Sequence, residues 1–219
     1  MRLSAVQQLA KAQDWLSKVR PGYRLQIFDA YRPIPVQAFM VDYALRQSLS
    51  AQGLSEAGYA ADPEAPLHKK IRQRVSEIWA NPSIDPANPP PHATGAAVDL
   101  TVIDSQGKPL DMGCPIDDLG PHAESNYYLR HEQADHPANV NRRLLLDCMN
   151  TAGFKRLPHE WWHFSYGDAW WALLGFLHDT LPLVSKAIAK GSSCPSYEGS
   201  SLLSPLLPLR ARYGRVDVS

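Results

Sequence analysis

The chain of 219 residues is short of several things. It has three cysteines, Cys114, Cys148 and Cys194, too few and too scattered for a disulfide framework or a thiolate zinc site. It has no apolar run long enough to span a bilayer. Its N-terminus, MRLSAVQQLAKAQDWL, is amphipathic where a secretory signal would carry an apolar core. It has no excess of either charge, with 22 Lys+Arg against 22 Asp+Glu. The clustered positive charge behind generic nucleic-acid or anionic-membrane binding is therefore missing. There is no internal repeat. These absences leave a cytoplasmic protein without nucleic-acid or membrane partners as the expectation. What is present is ordinary globular composition, 44% apolar and 20% charged, in a chain long enough for a real core.

Leu3, Val6, Leu9, Leu16 and Val19 recur at helical spacing and predict a helix over residues 3–19. Pro21-Gly22 ends it, and the alternating run Tyr23 to Asp29 reads as a strand with Leu25 and Ile27 on one face. Val36, Phe39, Met40 and Tyr43 mark a second helix; residues 50–67 read as a surface excursion; Ile71, Val75, Ile78 and Trp79 mark a third helix over about 68–80. Asp104 to Gly107 predicts a turn and a hairpin with Pro109 to Met112. Residues 113–138 read as a long loop. Val140, Leu144, Leu145, Cys148 and Ala152 define a fourth helix closed by Gly153, and a second hairpin follows around Pro158-His159. Residues 168–178 read as helical, with Trp170-Trp171 as core packing. A domain over 1–180 is thus followed by a Ser-, Pro- and Leu-rich tail over 181–219, whose last residues, 211–218, could add an edge strand.

Three stretches carry chemistry. In PPPHATGAAVDLT, three prolines lead stiffly into His92, and Asp99 lies on the strand-like run that follows. Seven positions separate the two, which puts them on opposite faces of a straight strand. They converge only if the chain bends at Gly95, where the lack of a β-carbon permits it. A neutral imidazole and a carboxylate brought together suit Zn²⁺. The second stretch is Glu160-Trp161-Trp162-His163. A hydrolytic zinc site takes three protein ligands, keeps one position open and needs a nearby base. His92, Asp99 and His163 are the candidate ligands and Glu160 the candidate base, with the two tryptophans drying the wall. The third is Asp29-Ala30-Tyr31-Arg32-Pro33. Its Arg32 either stabilises developing negative charge on an oxygen or pairs structurally with a carboxylate such as Asp29. The spacing of the remaining histidines gives no sign of a further site; His68 reads as heading a solvated helix and His159 as a turn residue.

Together, His92-Ala93-Thr94-Gly95-Ala96-Ala97-Val98-Asp99, Glu160-Trp161-Trp162-His163 and Asp29-Ala30-Tyr31-Arg32-Pro33 resemble the D-alanyl-D-alanine dipeptidases. These are zinc enzymes that include those of vancomycin resistance. The resemblance runs from about residue 3 to about 178, with an echo at Tyr213-Gly214-Arg215-Val216. It implies an α+β fold with a small central antiparallel sheet, helices packed on it and the zinc site on the sheet. It also implies zinc on His92, Asp99 and His163, Glu160 as general base and Arg32 as transition-state stabiliser. Met112-Gly113-Cys114-Pro115-Ile116-Asp117 matches a family pattern in which the Asp holds the substrate's free ammonium group, so Asp117 inherits that role.

Two departures bear on which dipeptide fits. Pro90 stands where the family usually has a serine, and the chain begins directly at the first helix, without the N-terminal segment typical of the family. The expected substrate is D-Ala-D-Ala or a similar short dipeptide, which would place the enzyme in cell-wall metabolism. A zinc D,D-carboxypeptidase or L,D-endopeptidase acting on peptidoglycan peptides, and a catalytically silent zinc-binding module, stay open beside it.

Overall fold

The computed structural model describes residues 1–178. Six labelled helices and four strands follow one another as α1 (Leu3–Val19), β1 (Arg24–Asp29), α2 (Ile34–Ala51), α3 (Glu56–Ala61), α4 (Pro66–Ile78), β2 (Ala97–Ile103), α5 (Tyr127–Arg130), α6 (Pro137–Thr151), β3 (Lys155–Arg156) and β4 (His163–Ser165). Single 3-10 turns occupy His92–Thr94 and Pro121–Ala123, and residues 169–178 are helical. The strands form one antiparallel sheet in the order β1-β2-β4-β3. The expected α+β fold, a small antiparallel sheet with helices packed on it, is what the chain adopts. No helix among the described residues is long and apolar enough to cross a membrane.

β2 is the central strand, and the alternation of its side chains organises the molecule. Val98, Leu100 and Val102 are fully buried and join Leu9, Leu16, Leu145, Met149, Phe154 and Phe164 in the core. Burial of each phenylalanine contributes on the order of 2–3 kcal/mol. α1 packs on α6 against that face, and the Cys148 thiol, buried as expected, points at the Ala12 carbonyl. The alternate residues of β2 face the other way, and Asp99 is among them. Its register partners are Asp29 on β1 and His163 on β4. Directly opposed residues of neighbouring strands project to the same face. Asp29, Asp99 and His163 therefore make one polar row across three strands.

Several expectations need correction. α1 spans the predicted residues, but its buried stripe is Ala5, Leu9, Ala12 and Leu16, while Leu3, Val6 and Val19 are exposed. β1 is an edge strand, and Ile27, expected to share a face with Leu25, is half exposed. Val36, Phe39 and Tyr43 lie on the outer face of α2, whose buried positions are Gln37, Ala44 and Leu49. Residues 50–67 are no plain excursion: α2 runs to Ala51, and α3 follows, capped by Ser55 Oγ accepting from the Gly58 amide at 3.0 Å. The turn and hairpin expected at 104–112 are present in short form: Gly107 bonds back to Asp104, and antiparallel pairing is confined to the bridge of Ile103 with Pro109 and its flanking backbone bonds. His68 is buried, with its Nδ1 2.5 Å from the Asp62 carbonyl. The long loop at 113–138 contains a 3-10 turn, α5 and the start of α6. The tail from 181, its possible edge strand and Tyr213 to Val216 lie outside the described residues.

Candidate active site

The bend at Gly95 is present. His92 opens a 3-10 turn that ends at Gly95 in the left-handed region, with φ of 71°. A β-carbon there would press on the Met1-Arg2 backbone. That turn swings His92 back over the polar row, so His92, Asp99 and His163 meet although straight-strand spacing would part them.

Three atoms face one another in that space. His92 Nε2 lies 3.1 Å from Asp99 Oδ2 and 3.2 Å from His163 Nδ1. His163 Nδ1 lies 3.0 Å from Asp99 Oδ1, yet that buried oxygen has no hydrogen-bond partner. Ligands at 2.0–2.1 Å from a tetrahedral zinc stand about 3.3 Å apart, so these separations fit a metal. The outer nitrogen of His92 fixes its tautomer. His92 Nδ1 is 2.7 Å from the Ala30 carbonyl, which can only accept, so this nitrogen carries the proton and Nε2 offers its lone pair inward. His163 Nε2 faces Ser165 Oγ at 3.3 Å, leaving Nδ1 for the site. Such outer hydrogen bonds are the usual means of aiming metal-binding imidazoles.

The electrostatics follow from burial and from charges held close. Burial alone would raise the Asp99 carboxyl, but the two imidazoles outweigh it and hold the group well below the usual carboxylate range. Burial pulls His92 down, and the Asp99 carboxylate more than offsets this, leaving it raised. Glu160, also buried, has its Oε2 3.6 Å from His163 Nδ1. Burial first, then the charges of Asp99 and Asp117, push its carboxyl well above the ordinary value, against the pull of Arg32. Asp117, half-buried, is pushed up to about 6 by burial and by Asp99. A cation bound among the ligands would draw these carboxylates back towards ionisation.

Arg32 makes the structural pairing offered for it and also stands at the site. Its Nε donates to Asp29 Oδ2 at 2.8 Å and its Nη2 lies 2.6 Å from the same oxygen. Its Nη2 also lies 3.6 Å from Asp99 Oδ2. The guanidinium is thus anchored by Asp29 while facing the site. Two residues that sequence reasoning missed complete the anchor. Gln37 Oε1 accepts from Arg32 Nη1 at 2.8 Å, and Gln37 Nε2 donates to the Ala80 carbonyl at 2.7 Å. The Trp79 ring lies 5.1 Å from the Arg32 guanidinium carbon. A glutamine in the first turns of a helix gives no signal in the sequence; Trp79 read there only as an apolar position.

A cleft of about 110 Å³ brings Arg32, His92, Asp99, Asp117, Glu160 and His163 to one surface. All six residues singled out in the sequence line it. Its walls include Trp79, Leu157 and Trp170. Trp170, expected in the core, is 42% exposed and stands at this cleft instead. Trp161 and Trp162, expected to dry the wall of the site, are buried but do not line this cleft; Trp161 borders a separate hollow with Met112 and Ile116. Pro91 lines the cleft, whereas Pro90 is buried beside it. His159 is an exposed turn residue, as expected.

A model of the D-ala-D-ala dipeptidase family matches residues 4–185. The chain belongs to that family. Among curated relatives, the D-alanyl-D-alanine dipeptidase of Synechocystis sp. is 40% identical over 179 residues, covering 78% of this chain and 71% of the relative. That of Escherichia coli K12 is 30% identical over 148 residues, covering 68% and 58%. A solved structure of a mutant vancomycin-resistance D,D-pentapeptidase, VanY, in complex with Zn(II) is similar with a TM-score of 0.45 at 16% identity, covering 76% of this chain and 72% of that one. The expectation of a metallopeptidase of the D-Ala-D-Ala dipeptidase type is met at the level of the family.

Proposed function

We propose that this dipeptidase-family chain hydrolyses D-Ala-D-Ala or a similar short dipeptide with zinc held by His92, Asp99 and His163. The observation that carries the reading is the convergence of three buried donor atoms at the edge lengths of a zinc tetrahedron. Around them, in the same cleft, stand a buried carboxylate, a buried guanidinium and a half-buried carboxylate. Zinc in this position would supply a Lewis acid that acidifies water and polarises a carbonyl.

The protein groups then divide the work. Asp117 accepts the substrate's ammonium group, which offsets the burial that otherwise keeps its carboxyl raised. Arg32, held rigid by Asp29 and Gln37, faces the carbonyl oxygen as it becomes negative. Glu160 takes the proton of the water that attacks the carbonyl carbon. It returns a proton to the amide nitrogen as the C–N bond breaks.

A panel of D,D, L,L and mixed dipeptides, run with and without chelator, tests the reading. Turnover of D-Ala-D-Ala, abolished by chelation and restored by zinc, is the expected result; zinc binding with no turnover of any dipeptide would favour a silent binding module. An N-acylated D-Ala-D-Ala should be rejected, because Asp117 would then face a neutral amide; a carboxypeptidase or endopeptidase would accept it. For Arg32→Ala, kcat should fall by about 10²–10³. Unchanged kcat in that variant would reduce Arg32 to the structural partner of Asp29.

A further inference from the structure

The segment that carries Asp117 has no helix or strand between the bridge at Pro109 and the 3-10 turn at Pro121. Asp117 itself has φ of 67°, in the left-handed region that few residues besides glycine, asparagine and aspartate enter. Two arginines hold the backbone on either side of it. Arg142 sits on the inner face of α6 with Ala138, Leu145 and Met149, and is 1% exposed. Its Nε donates to the Met112 carbonyl at 2.7 Å, its Nη2 to the His122 carbonyl at 2.7 Å and its Nη1 to the Glu124 carbonyl at 3.0 Å. The guanidinium lies 5.1 Å from the Tyr128 ring centre and 5.5 Å from that of Trp161. From α4, Arg74 Nε donates to the Leu119 carbonyl at 2.7 Å and its Nη2 to the Gly120 carbonyl at 2.9 Å.

Of these five carbonyls, Met112 lies before Asp117, Leu119 and Gly120 lie after it within the segment, and His122 and Glu124 lie in and just beyond the 3-10 turn that ends it. A planar guanidinium with five fixed donors can join separated carbonyls in one geometry; a lysine ammonium cannot. We propose that Arg142 and Arg74 are positioning residues that clamp this segment, set the Asp117 carboxylate in the cleft and so determine the preference for a free amino terminus. Neither lines the cleft beside the metal-binding groups. Their effect passes through backbone carbonyls to the one side chain of the segment that does. The inference rests on the reading of Asp117 as the ammonium site.

The test measures kcat and KM for D-Ala-D-Ala and for its N-acetyl derivative in the wild type, Arg142→Lys, Arg74→Met and Asp117→Asn, with zinc content determined for each. Arg142→Lys should raise KM for the free dipeptide about tenfold, with kcat within about threefold. The preference for the free amine should narrow about tenfold, and zinc should stay stoichiometric. Arg74→Met should act in the same direction by about threefold. Arginine variants that lower kcat or thermal stability while keeping the wild-type preference would overturn the proposal. If Arg142→Lys does not fold, Arg74→Met decides, because its side chain is 32% exposed and its loss opens no core cavity; an unchanged preference there overturns the clamp. If Asp117→Asn itself keeps the preference, the ammonium reading falls and the clamp with it. If Asp117→Asn loses the preference and both arginine variants keep it, only the clamp falls.

Discussion

Glu160→Ala should lose about 10³-fold or more of kcat while the protein still folds and still binds one zinc. The reason is the division of labour around the metal site. Glu160 Oε2 stands 3.6 Å from His163 Nδ1, beside the ligand cluster, and the three converging donor atoms belong to other residues. Removing it takes away the proton carrier and leaves those donors in place. Removal should also leave the fold intact. The carboxylate is buried near two further carboxylates, Asp99 and Asp117, which disfavour its charged form. Losing an unfavourably placed charge should leave the melting temperature of the metal-free protein unchanged or raise it. Steady-state kinetics, elemental analysis after dialysis and thermal melting check the three parts. A variant with full activity would sink the proposed mechanism, and one that has lost its zinc would make Glu160 a ligand.

Asp99→Asn is expected to have the second large effect and to differ in kind. The substitution keeps the shape of the side chain and removes the charge shared with His92, His163 and Arg32. An amide is a poor partner for a divalent cation and leaves two imidazoles facing one another without the carboxylate between them. Zinc should be lost on dialysis, and kcat/KM should fall by about 10³-fold or more, the scale of several kcal/mol of Lewis-acid stabilisation. Arg32 should stay in place, because Asp29 and Gln37 hold it independently. Excess zinc should restore part of the activity in proportion to occupancy. Stoichiometric zinc and wild-type turnover in the dialysed variant would remove Asp99 from the ligand set.

The helices α1, α4 and α6 were legible because apolar residues recur at helical spacing in each. The period was readable, but its phase was read less well. Leu3, Val6 and Val19 share the period of α1 yet lie outside its buried stripe, which small alanines at positions 5 and 12 share with Leu9 and Leu16. α3 was missed because six residues rich in alanine and glycine show no apolar face; its cap, Ser55, was its one local signal. Trp170 was taken for core because size and hydrophobicity do not say which side of a helix is covered. Arg142 did leave a trace: an arginine at the spacing of an otherwise buried helical face has to find partners there.

The sequence by itself determined which chemistry was available. A histidine after stiff prolines, a glycine that permits a bend, a carboxylate on the following strand and an E-W-W-H run are local facts, each with a local physical meaning. The odd interval between His92 and Asp99 even required the bend that Gly95 makes. Only the tertiary structure decided that these groups meet. Strand register puts Asp29, Asp99 and His163 in one row, and register depends on core burial along whole strands rather than on the residues of the row. The anchors Gln37, Trp79, Arg74 and Arg142 act across more than forty positions in places, where local spacing carries no information. Asp117 reaches the cleft from a segment without helix or strand, tied down by arginines on α4 and α6, so its position belongs to the fold that holds it.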